Sequence, residues 1–599
     1  MRKKKANVTG IKTTYQTVAD FLGRTPKWIQ NFLALWIPLL LLLNLQPLSD
    51  WIRDKNLVSL PDLFLPLILY SVTSIIFATI FYWFFLRNRF LALALAIGTY
   101  FAVSQRVYLK MHSVWNFLRS SSFVSKIFNS LESSYLFIYA FLFIFILYFL
   151  FRLIDGLTRS HRWNLDVFYR GVVIAISVAF SIQLVGVLRV INTEIKSYRP
   201  ARIVSNNPNS KPKNKPDIYY LVLDRYTNRN SLKEYFNYNN SDFTTFLTEN
   251  GFSVNPDAYS NYPSTASSIA STLKADYHND LSKKFQIATS EPYFNSIYYA
   301  PVIKALKKQG YSYYHIGSWY DATTKAPLAD RYFMLGNQLT ILGHNFTITN
   351  FPLKELKSTL FWRIALRGIK IGKFTVLSFN DASHYDWEKY KIEKLKEITD
   401  DSSGPKFVFA HILVPHNPYV FNTDGSASPY TEVSNRGKPI KQKYTDQVQY
   451  INGQMKELIN TIKQKSENQA VIIIQADEGP YPSQFKISPE GTMEASEEPC
   501  REEAISKWTA EDIKLKWGIL AAYYLPEVKS EDLSAGGNSV NIFRLVFNTY
   551  FNYGLPYLPN CHFTVSGKGE KGSYDFLEIS DKLTGSKNPD CPDNGIFNN

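Results

Sequence analysis

The feature that most constrains this chain is a series of five apolar stretches within its first 190 residues. Most are near the roughly 20 residues that an α-helix needs to cross the hydrocarbon of a bilayer, and aromatic residues flank them. A soluble core helix can be equally apolar, but five in succession are typical of a membrane protein. We therefore predict five transmembrane helices, at Phe32–Leu45, Leu63–Leu86, Phe90–Ser104, Tyr135–Phe151 and Val172–Leu188.

Basic residues in the connections between these stretches set the orientation. With a cytoplasmic N-terminus, the inner connections carry more Lys and Arg than the outer ones, and five spans then place everything after Leu188 outside the cytoplasm. Much of the net charge of +15 lies beside the apolar stretches and in the linker that follows them, which indicates topology and contact with anionic lipid rather than nucleic-acid binding. No short apolar region with a small-residue cleavage site begins the chain, so we expect no cleavable signal peptide.

The remainder of the chain has the pattern of an α/β domain. Residues 1–192 are the predicted membrane domain, and residues 193–216 are polar and broken by Pro, which predicts a linker. In residues 217–560, strand-like and helix-like stretches alternate, and this predicts a mostly parallel sheet sandwiched by helices. The best strand candidates are Ile218–Leu223, Tyr311–Ile316, Phe407–Leu413, Val471–Gln475 and Ile519–Tyr524. Amphipathic helices are predicted between them, for example at Tyr385–Ile398 and Thr445–Lys463.

The three cysteines and the last residues of the chain give little information about function. Cys500, Cys561 and Cys591 all lie in the exported half, where disulfides persist. Their odd number allows at most one intramolecular pair, and their spacing matches no zinc motif. Residues 561–599 form a predicted tail that carries no motif with a functional meaning.

Several of the predicted strands end in side chains that can bind a ligand. Asp224 ends the first strand, the pair Asp477–Glu478 ends another, and a third leads through His411 to His416. Ligand sites in open α/β sheets lie beyond the carboxyl ends of the strands. Two adjacent carboxylates in such a place either collect a cation or merely cap a loop, and short motifs alone do not decide between these alternatives.

A run of small hydroxyl residues from Ser264 to Ser268 supplies a further candidate. Pro263 suits the first turn of a helix, which would place the hydroxyls at a helix N-terminus. There the helix dipole favours developing negative charge, and a hydroxyl next to a divalent cation can act as a nucleophile. The alternative is a Ser/Thr-rich cap without a catalytic role.

The order of these pieces resembles the sulfatase-like membrane proteins of the alkaline phosphatase superfamily, and more narrowly the lipoteichoic acid synthases and lipid A phosphoethanolamine transferases. The resemblance rests on the membrane stretches and on the short motifs Leu-Val-Leu-Asp224, Tyr-Pro-Ser-Thr265, Val-Pro-His416-Asn-Pro-Tyr and Gln-Ala-Asp477-Glu478-Gly. It implies an N-terminal bundle of about five transmembrane helices and an extracytoplasmic α/β domain of the alkaline phosphatase type.

The resemblance also implies a metal site. Asp224, Thr265 and Asp477 match the family's metal-binding residues, with Thr265 as the nucleophile, and Glu478 stands where the family usually has histidine. A carboxylate in place of imidazole makes the shell all-oxygen, so we expect Mn²⁺ or Mg²⁺, with Ca²⁺ as a further candidate and Zn²⁺ as less suited. The more anionic shell would also weaken the cation as a Lewis acid and slow the reaction.

Substrate-binding residues follow from the same resemblance. His416 matches a histidine that contacts the substrate headgroup, and Trp319 resembles a tryptophan that lines the headgroup pocket. His411 either serves the site or is a hydrogen-bonded strand histidine. Sulfatases proper carry Cys or Ser in a C/S-x-P-x-R setting, and the absence of that motif here argues for phosphorus chemistry with a threonine nucleophile.

The leading hypothesis is a membrane-anchored, metal-dependent phosphotransferase or phosphodiesterase. Its substrate would be a membrane phospholipid headgroup or an envelope glycopolymer, and we expect no nucleic-acid partner. The alternative is a catalytically weak or inactive envelope protein of the same fold that binds glycan or acts as a scaffold.

Overall fold

The structure is a computed structural model with two compact units. One unit comprises residues 1–196 together with 338–380, and the other comprises residues 197–337 together with 381–599. The residues that the structure describes are 25–54, 60–84, 93, 96–97, 165–194, 200–207, 212, 214–278, 280–281, 291–335, 338–348, 350–357, 365–366, 368–380, 382–428, 439–485, 500, 502–528, 532–533, 536–566 and 574–591.

The described strands are numbered in chain order. They are β1 (Ile218–Leu223), β2 (Ser253–Val254), β3 (Ser312–Ile316), β4 (Arg331–Phe333), β5 (Gln338–Ile341), β6 (His344–Thr347), β7 (Ile369–Ile371), β8 (Phe374–Asn380), β9 (Lys406–Ile412), β10 (Val471–Gln475), β11 (Ala521–Tyr524), β12 (Phe563–Val565) and β13 (Phe576–Glu578).

The described helices are named by their residues. They are Lys27–Asp54, Leu60–Phe84, Leu165–Glu194, Arg229–Phe236, Ser241–Glu249, Thr265–Lys274, Glu291–Tyr298, Pro301–Lys308, Asp321–Thr324, Asn350–Lys357, His384–Ile398, Ile440–Lys465, Glu502–Ile505, Ala510–Trp517, Ile542–Phe551 and Ser580–Thr584, with a short 3₁₀ helix at Pro482–Phe485.

The first three helices are long and apolar enough to cross a membrane. They contain the first and fifth of the predicted apolar stretches and the second as far as Phe84, and many of their exposed side chains are apolar, such as Ile80, Trp83 and Ile182. A helix that is apolar on all sides is typical of a membrane span. The predicted spans Phe90–Ser104 and Tyr135–Phe151 lie outside the described residues, except for three residues of the former.

Residues 338–380, here called the hairpin module, were not distinguished in the sequence and belong to the same unit as these helices. The module contains a four-stranded antiparallel sheet in the order β6-β5-β8-β7 and the helix Asn350–Lys357. Its strands are short and partly exposed, so neither a long apolar run nor a strict alternation marks them in the sequence.

The second unit is built on a seven-stranded sheet in the order β2-β11-β10-β1-β9-β3-β4. The five strands from β10 to β4 are parallel, and β11 and β2 join antiparallel to one edge. All five strands predicted from the sequence are present with bounds shifted by at most two residues. Every residue of β1, β9 and β10 is buried, as expected for central strands covered on both faces.

Register then positions the strand ends. β1 pairs with β10 from Ile218 opposite Val471 to Val222 opposite Gln475. On its other side β1 pairs with β9, with Val222 opposite His411. The residues that follow β1 and β10 therefore leave the sheet side by side, next to the end of β9.

The predicted linker and the predicted tail both contain ordered contacts in this unit. Within the predicted linker, the Asn206 amide donates to Tyr553 O at 2.9 Å, so these residues are held against the domain. The predicted tail contains β13, which pairs with β12, and a disulfide between Cys561 and Cys591. Cys500 is a buried free thiol.

Candidate metal centre

Asp224, His411 and Asp477 lie together at the carboxyl ends of the adjacent strands β1, β9 and β10. One ligand atom from each residue lies within 4.8 Å of the other two, and all three side chains are buried. Asp224 Oδ1, Asp477 Oδ2 and His411 Nε2 have no hydrogen-bond partner among the described residues. Buried polar atoms without partners are costly, so this group, which we call the ligand group, fits a bound cation.

The His411 imidazole is oriented by its second ring nitrogen. Nδ1 lies 2.9 Å from Thr323 Oγ1, and Nε2 lies 3.3 Å from Asp224 Oδ2. Burial lowers the pKa of His411 to about 4, so the ring is neutral. In the tautomer that donates from Nδ1 to Thr323, the Nε2 lone pair faces the carboxylates, which is the usual arrangement of a metal-binding histidine.

Among the described residues, no Lys or Arg side chain forms an ion pair with either carboxylate of the ligand group. Burial raises the pKa of Asp224 to about 8; Arg225 opposes the rise and Glu478 adds to it. Burial also raises the pKa of Asp477 to about 7, with repulsion from Asp224 and Glu478 acting in the same direction. Both shifts show that the ionised pair is unfavourable as it stands. A divalent cation would reverse this preference.

Thr265 meets this group from the side of the helix it begins. It is the first residue of Thr265–Lys274, with Ser264 as the extended N-cap residue. Burial raises the pKa of Asp477, and the nearby Thr265 side chain acts in the opposite direction. A helix N-terminus favours negative charge, so an anionic group bound beside this hydroxyl would be stabilised. Of the hydroxyls in this run, Thr265 is the one whose side chain affects the pKa of Asp477.

Glu478 lies outside the ligand group. Its carboxylate pairs with Arg225 Nε at 3.1 Å and with Lys516 Nζ at 2.7 Å, and all three side chains are buried. Both cations also lie over the Tyr481 ring. We call Arg225, Glu478 and Lys516 the ion-pair group. The sequence placed Glu478 in the metal shell, whereas the geometry favours His411 as the third ligand.

Gly479 keeps these two groups compact. A Cβ at this position would lie 1.9 Å from Leu515 O, so no side chain fits without moving backbone. The Gly479 amide donates to Lys516 O at 2.9 Å, and the Lys516 ammonium donates to Gly479 O at 3.1 Å. Glycine therefore lets the turn after Glu478 approach the helix Ala510–Trp517, which brings Lys516 to the carboxylate.

The predicted headgroup residues also come together. The rings of Trp319 and His416 lie edge to face with centroids 6.0 Å apart. His416 Nδ1 is hydrogen-bonded to Asn417 O, and burial together with nearby Arg225 holds the pKa of this histidine well below its usual value. Arg225 Nη1 donates to Asn417 Oδ1 at 3.1 Å. Arg225 thus connects the ion-pair group to the loop that carries His416.

A buried ion pair supports the end of β9. Lys391 Nζ lies 2.7 Å from Glu388 Oε1 and donates to His411 O at 2.8 Å. Glu388 Oε2 accepts from the Leu413 amide at 2.9 Å. Both side chains come from the helix His384–Ile398, which was predicted at Tyr385–Ile398, but its sequence pattern did not distinguish them from surface charges.

Five site residues were missed in the sequence: Arg225, Thr323, Glu388, Lys391 and Lys516. Only Arg225 carried a signal, since it directly follows the strand-end Asp224. The other four come from helices that are distant in sequence, and no local motif marks them.

A sequence model of the family described as Sulfatase matches residues 229–533, about half of the chain. The chain belongs to the sulfatase family. The sulfatase match includes Thr265, His411, Asp477 and Lys516, and begins just after Asp224. The family is metal-dependent and has the alkaline-phosphatase-like fold. None of the curated proteins matches this sulfatase chain.

Solved structures resemble this chain at low identity. The C-terminal periplasmic domain of EcEptC from Escherichia coli, in complex with Zn, is 11% identical, with 63% of this chain and 96% of that chain covered and a TM-score of 0.38. The same domain of phosphoethanolamine transferase EptC from Campylobacter jejuni is 11% identical, with 57% of this chain and 92% of that chain covered and a TM-score of 0.34. The integral membrane lipooligosaccharide phosphoethanolamine transferase A (EptA) from Neisseria meningitidis is 12% identical, with 87% of this chain and 94% of that chain covered and a TM-score of 0.34. At these scores the family assignment rests on the sequence model alone.

Proposed function

We propose that this sulfatase-family chain is a membrane-anchored, metal-dependent phosphotransferase or phosphodiesterase that works outside the cytoplasm through Thr265. The observation that carries the proposal is the buried ligand group, whose unpartnered atoms converge beside a hydroxyl at a helix N-terminus. The absence of a formylglycine-type motif in the sequence favours phosphate over sulfate esters.

Asp224, His411 and Asp477 would hold the cation. When bound, it would polarise a phosphoryl oxygen and lower the pKa of the nearby hydroxyl. The case against Zn²⁺ depended on an all-oxygen shell with Glu478. Because an imidazole joins the group instead, a mixed nitrogen and oxygen set admits Zn²⁺ as well as Mn²⁺.

Thr265 acts as the nucleophile. Its hydroxyl proton passes to the nearby Asp477 carboxylate as the oxygen forms a bond to phosphorus, and the phosphorus–oxygen bond to the leaving alcohol breaks. The departing oxygen takes up the proton. An acceptor hydroxyl or water then attacks the phospho-threonine and restores the Thr265 hydroxyl, so the reaction is a two-step displacement.

The headgroup is held by His416 and Trp319. The Nδ1 proton of neutral His416 is directed to Asn417 O, which leaves Nε2 as an acceptor for an ammonium or hydroxyl of the headgroup. Trp319 offers an aromatic face that favours a cationic or sugar-like group. We propose that His411 serves the metal rather than the headgroup.

The test uses the full chain, purified with Mn²⁺ or Zn²⁺ and supplied with a fluorescent phospholipid. Thr265→Ala should lose turnover and the phosphorylated peptide that mass spectrometry detects in the wild type. Ser264→Ala, which removes the neighbouring hydroxyl, and Thr248→Ala, on an exposed helix surface, should retain both. If Thr265→Ala forms the same products at the same rate as the wild type, Thr265 is not the nucleophile.

A second candidate is a non-catalytic protein that binds an anionic envelope glycan. The ion-pair group favours it, because Glu478 is neutralised by two buried cations at the position where the family usually has a metal-binding histidine. This function predicts no stoichiometric ion in the purified chain. Metal analysis of the wild type beside Asp477→Ala separates the two: an ion lost with Asp477 supports the enzyme, and none in either supports the binder.

A further inference from the structure

The hairpin module packs against one end of the membrane-length helices. Phe351 of the module lies in a buried cluster with Leu48 and Trp51, near the end of the first helix, and with Leu63, near the start of the second. Val187, near the end of the third helix, completes the cluster. The C-terminal end of the first helix, the N-terminal end of the second and the C-terminal end of the third therefore meet in one cluster, and the module packs at this end of the three helices.

A second set of contacts fixes the same placement. Leu339, Leu356 and Phe379 form a buried cluster against which Leu65 and Leu69 of the second helix pack. The Tyr70 hydroxyl donates to Glu355 Oε2 at 3.1 Å, and both side chains are buried. The inner face of the module is therefore covered by the helices.

The two hairpin turns of the module lie beside each other. β5 and β8 are antiparallel neighbours, and the pairing continues past β5: the Leu342 amide donates to Val376 O at 2.8 Å and the Gly343 amide to Thr375 O at 2.9 Å. A Cβ at Gly343 would lie 3.1 Å from the Phe374 ring. The turn between β5 and β6 thus contacts the turn between β7 and β8.

Large apolar side chains are exposed at these turns. Leu342 is 58% exposed, Ile371 72% and Phe374 51%. Lys370 and Lys373 are exposed among them. We call these five residues the tip patch. Clustered apolar side chains on a surface mark a site of interaction, and here they are interleaved with basic residues.

The charge of the module indicates which surface the tip patch meets. Its basic residues are Lys354, Lys357, Arg363, Arg367, Lys370 and Lys373, and its one acidic residue is Glu355, which is buried. A second copy of the chain would bring the same lysines against each other. A bilayer with anionic lipids offers both hydrocarbon and negative charge, and the helices on which the module packs are built to cross one.

We propose that the tip patch inserts into the anionic lipid surface of the membrane that these helices cross. Leu342, Ile371 and Phe374 enter the boundary between headgroups and acyl chains, and Lys370 and Lys373 contact lipid phosphates. The two hairpins thereby form a second, peripheral membrane contact beside the transmembrane helices. This proposal does not depend on the enzymatic function proposed above.

The test places an environment-sensitive fluorophore on Ile371→Cys in the full chain, reconstituted in nanodiscs of phosphatidylcholine with and without phosphatidylglycerol. Lys308→Cys, an exposed position in the other unit, is the control, and unsubstituted protein measures any labelling of Cys500. At 371 we expect emission shifted to shorter wavelength, quenching by lipid-borne nitroxide and protection from aqueous iodide, all stronger with phosphatidylglycerol. Leu342→Cys on the neighbouring hairpin should behave alike, and Lys370→Gln with Lys373→Gln should weaken the effect.

Three results would overturn the proposal. Iodide quenching at 371 that is as strong as at 308 places the patch in water. Protection from both quenchers indicates that protein, such as a second copy, covers it. Equal nitroxide quenching with and without phosphatidylglycerol removes the assignment to anionic lipid.

Discussion

The ligand group and the ion-pair group are built from the same two strand ends. Asp224-Arg225 follows β1 and Asp477-Glu478 follows β10, and the parallel pairing of these strands up to Val222 opposite Gln475 brings the residues that follow them side by side. Asp224 and Asp477 accordingly meet with His411, while Arg225 meets Glu478 and a second cation, Lys516.

The two groups are equally buried but differ in charge compensation. Glu478 has Arg225 Nε at 3.1 Å and Lys516 Nζ at 2.7 Å, whereas Asp224 and Asp477 form no ion pair with a described Lys or Arg and have raised pKa values. A buried carboxylate alone is therefore no sign of a metal site. The uncompensated charge is what distinguishes the ligand group.

The largest effect should come from removing the central charge of the ion-pair group. In Glu478→Ala, Arg225 and Lys516 remain buried without a partner, which costs about 3–5 kcal/mol of folding stability. Thermal unfolding of the purified chain measures the loss. Metal content per folded molecule should stay close to that of the wild type, because the ligand group is intact.

A matched double variant checks the cause. Glu478→Gln with Lys516→Met removes one cation along with the carboxylate and should recover part of the stability lost in Glu478→Gln alone. If Glu478→Ala instead keeps its stability and loses its metal, Glu478 is a ligand and the sequence-based assignment was the better one.

The next effect tests the ligand group directly. Asp477→Asn keeps the shape of the side chain but removes a charge that the cation needs, and we expect metal affinity to fall by more than about 100-fold. Calorimetric titration of the metal-stripped protein with Mn²⁺ or Zn²⁺ measures the affinity. The exposed Asp581→Asn serves as the control and should bind like the wild type. Equal affinity in Asp477→Asn would remove it from the site.

Sequence reasoning reached the strands and the acidic residues at their ends because both depend on local pattern. β1 and β10 are continuous apolar runs, and a carboxylate that ends such a run is visible without knowledge of the fold. Knowing the order of the strands would also have shown that Arg225 lies opposite Glu478. The sequence contains both residues, but pairing β1 with β10 is a long-range fact that local pattern does not carry.

His411 and the hairpin module were beyond such reasoning for different reasons. A histidine within a strand faces either side of the sheet, and only the packing of Thr323 and Asp224 around it distinguishes a ligand from a core residue. The module's short strands resemble loops, and its association with the N-terminal helices depends on scattered residues such as Phe351 and Glu355.

A smaller effect is expected at Thr323, which contacts His411, the proposed third ligand, and lies outside the ligand group. Thr323→Val keeps the volume but removes the oxygen that His411 Nδ1 contacts, so the imidazole tautomer and angle are no longer held. We expect metal affinity to fall about 10-fold and the melting temperature to fall as well, because Thr323 Oγ1 also lies 2.7 Å from the buried Ser318 Oγ. Thr323→Ser should restore the affinity, which a purely steric role would not require. If Thr323→Val binds metal normally, the contact does not position His411.

The smallest effect is a pH dependence of the metal-free protein. The pKa values of Asp224 and Asp477, about 8 and about 7, lie above their ordinary 3.8, so the fold holds these protons more tightly than the unfolded chain does. This contribution to stability is fully present below pH 3.8 and is lost as the pH rises through the folded-state values. The pKa of His411 is lowered from its ordinary 6.5 to about 4, so this histidine changes the stability only below about pH 6.5.

The window from pH 6.5 to about 8 therefore isolates the two carboxylates. Over it, we expect the melting temperature of the metal-free chain to fall by roughly 2–4 °C, and the metal-loaded chain to show no such fall because the cation compensates the charge. Asp224→Asn should flatten the metal-free profile, while Asp581→Asn should not. If the melting temperature of metal-free Asp224→Asn still falls with pH as in the wild type, other groups cause the fall. Uncompensated charge would then no longer distinguish the ligand group from the ion-pair group.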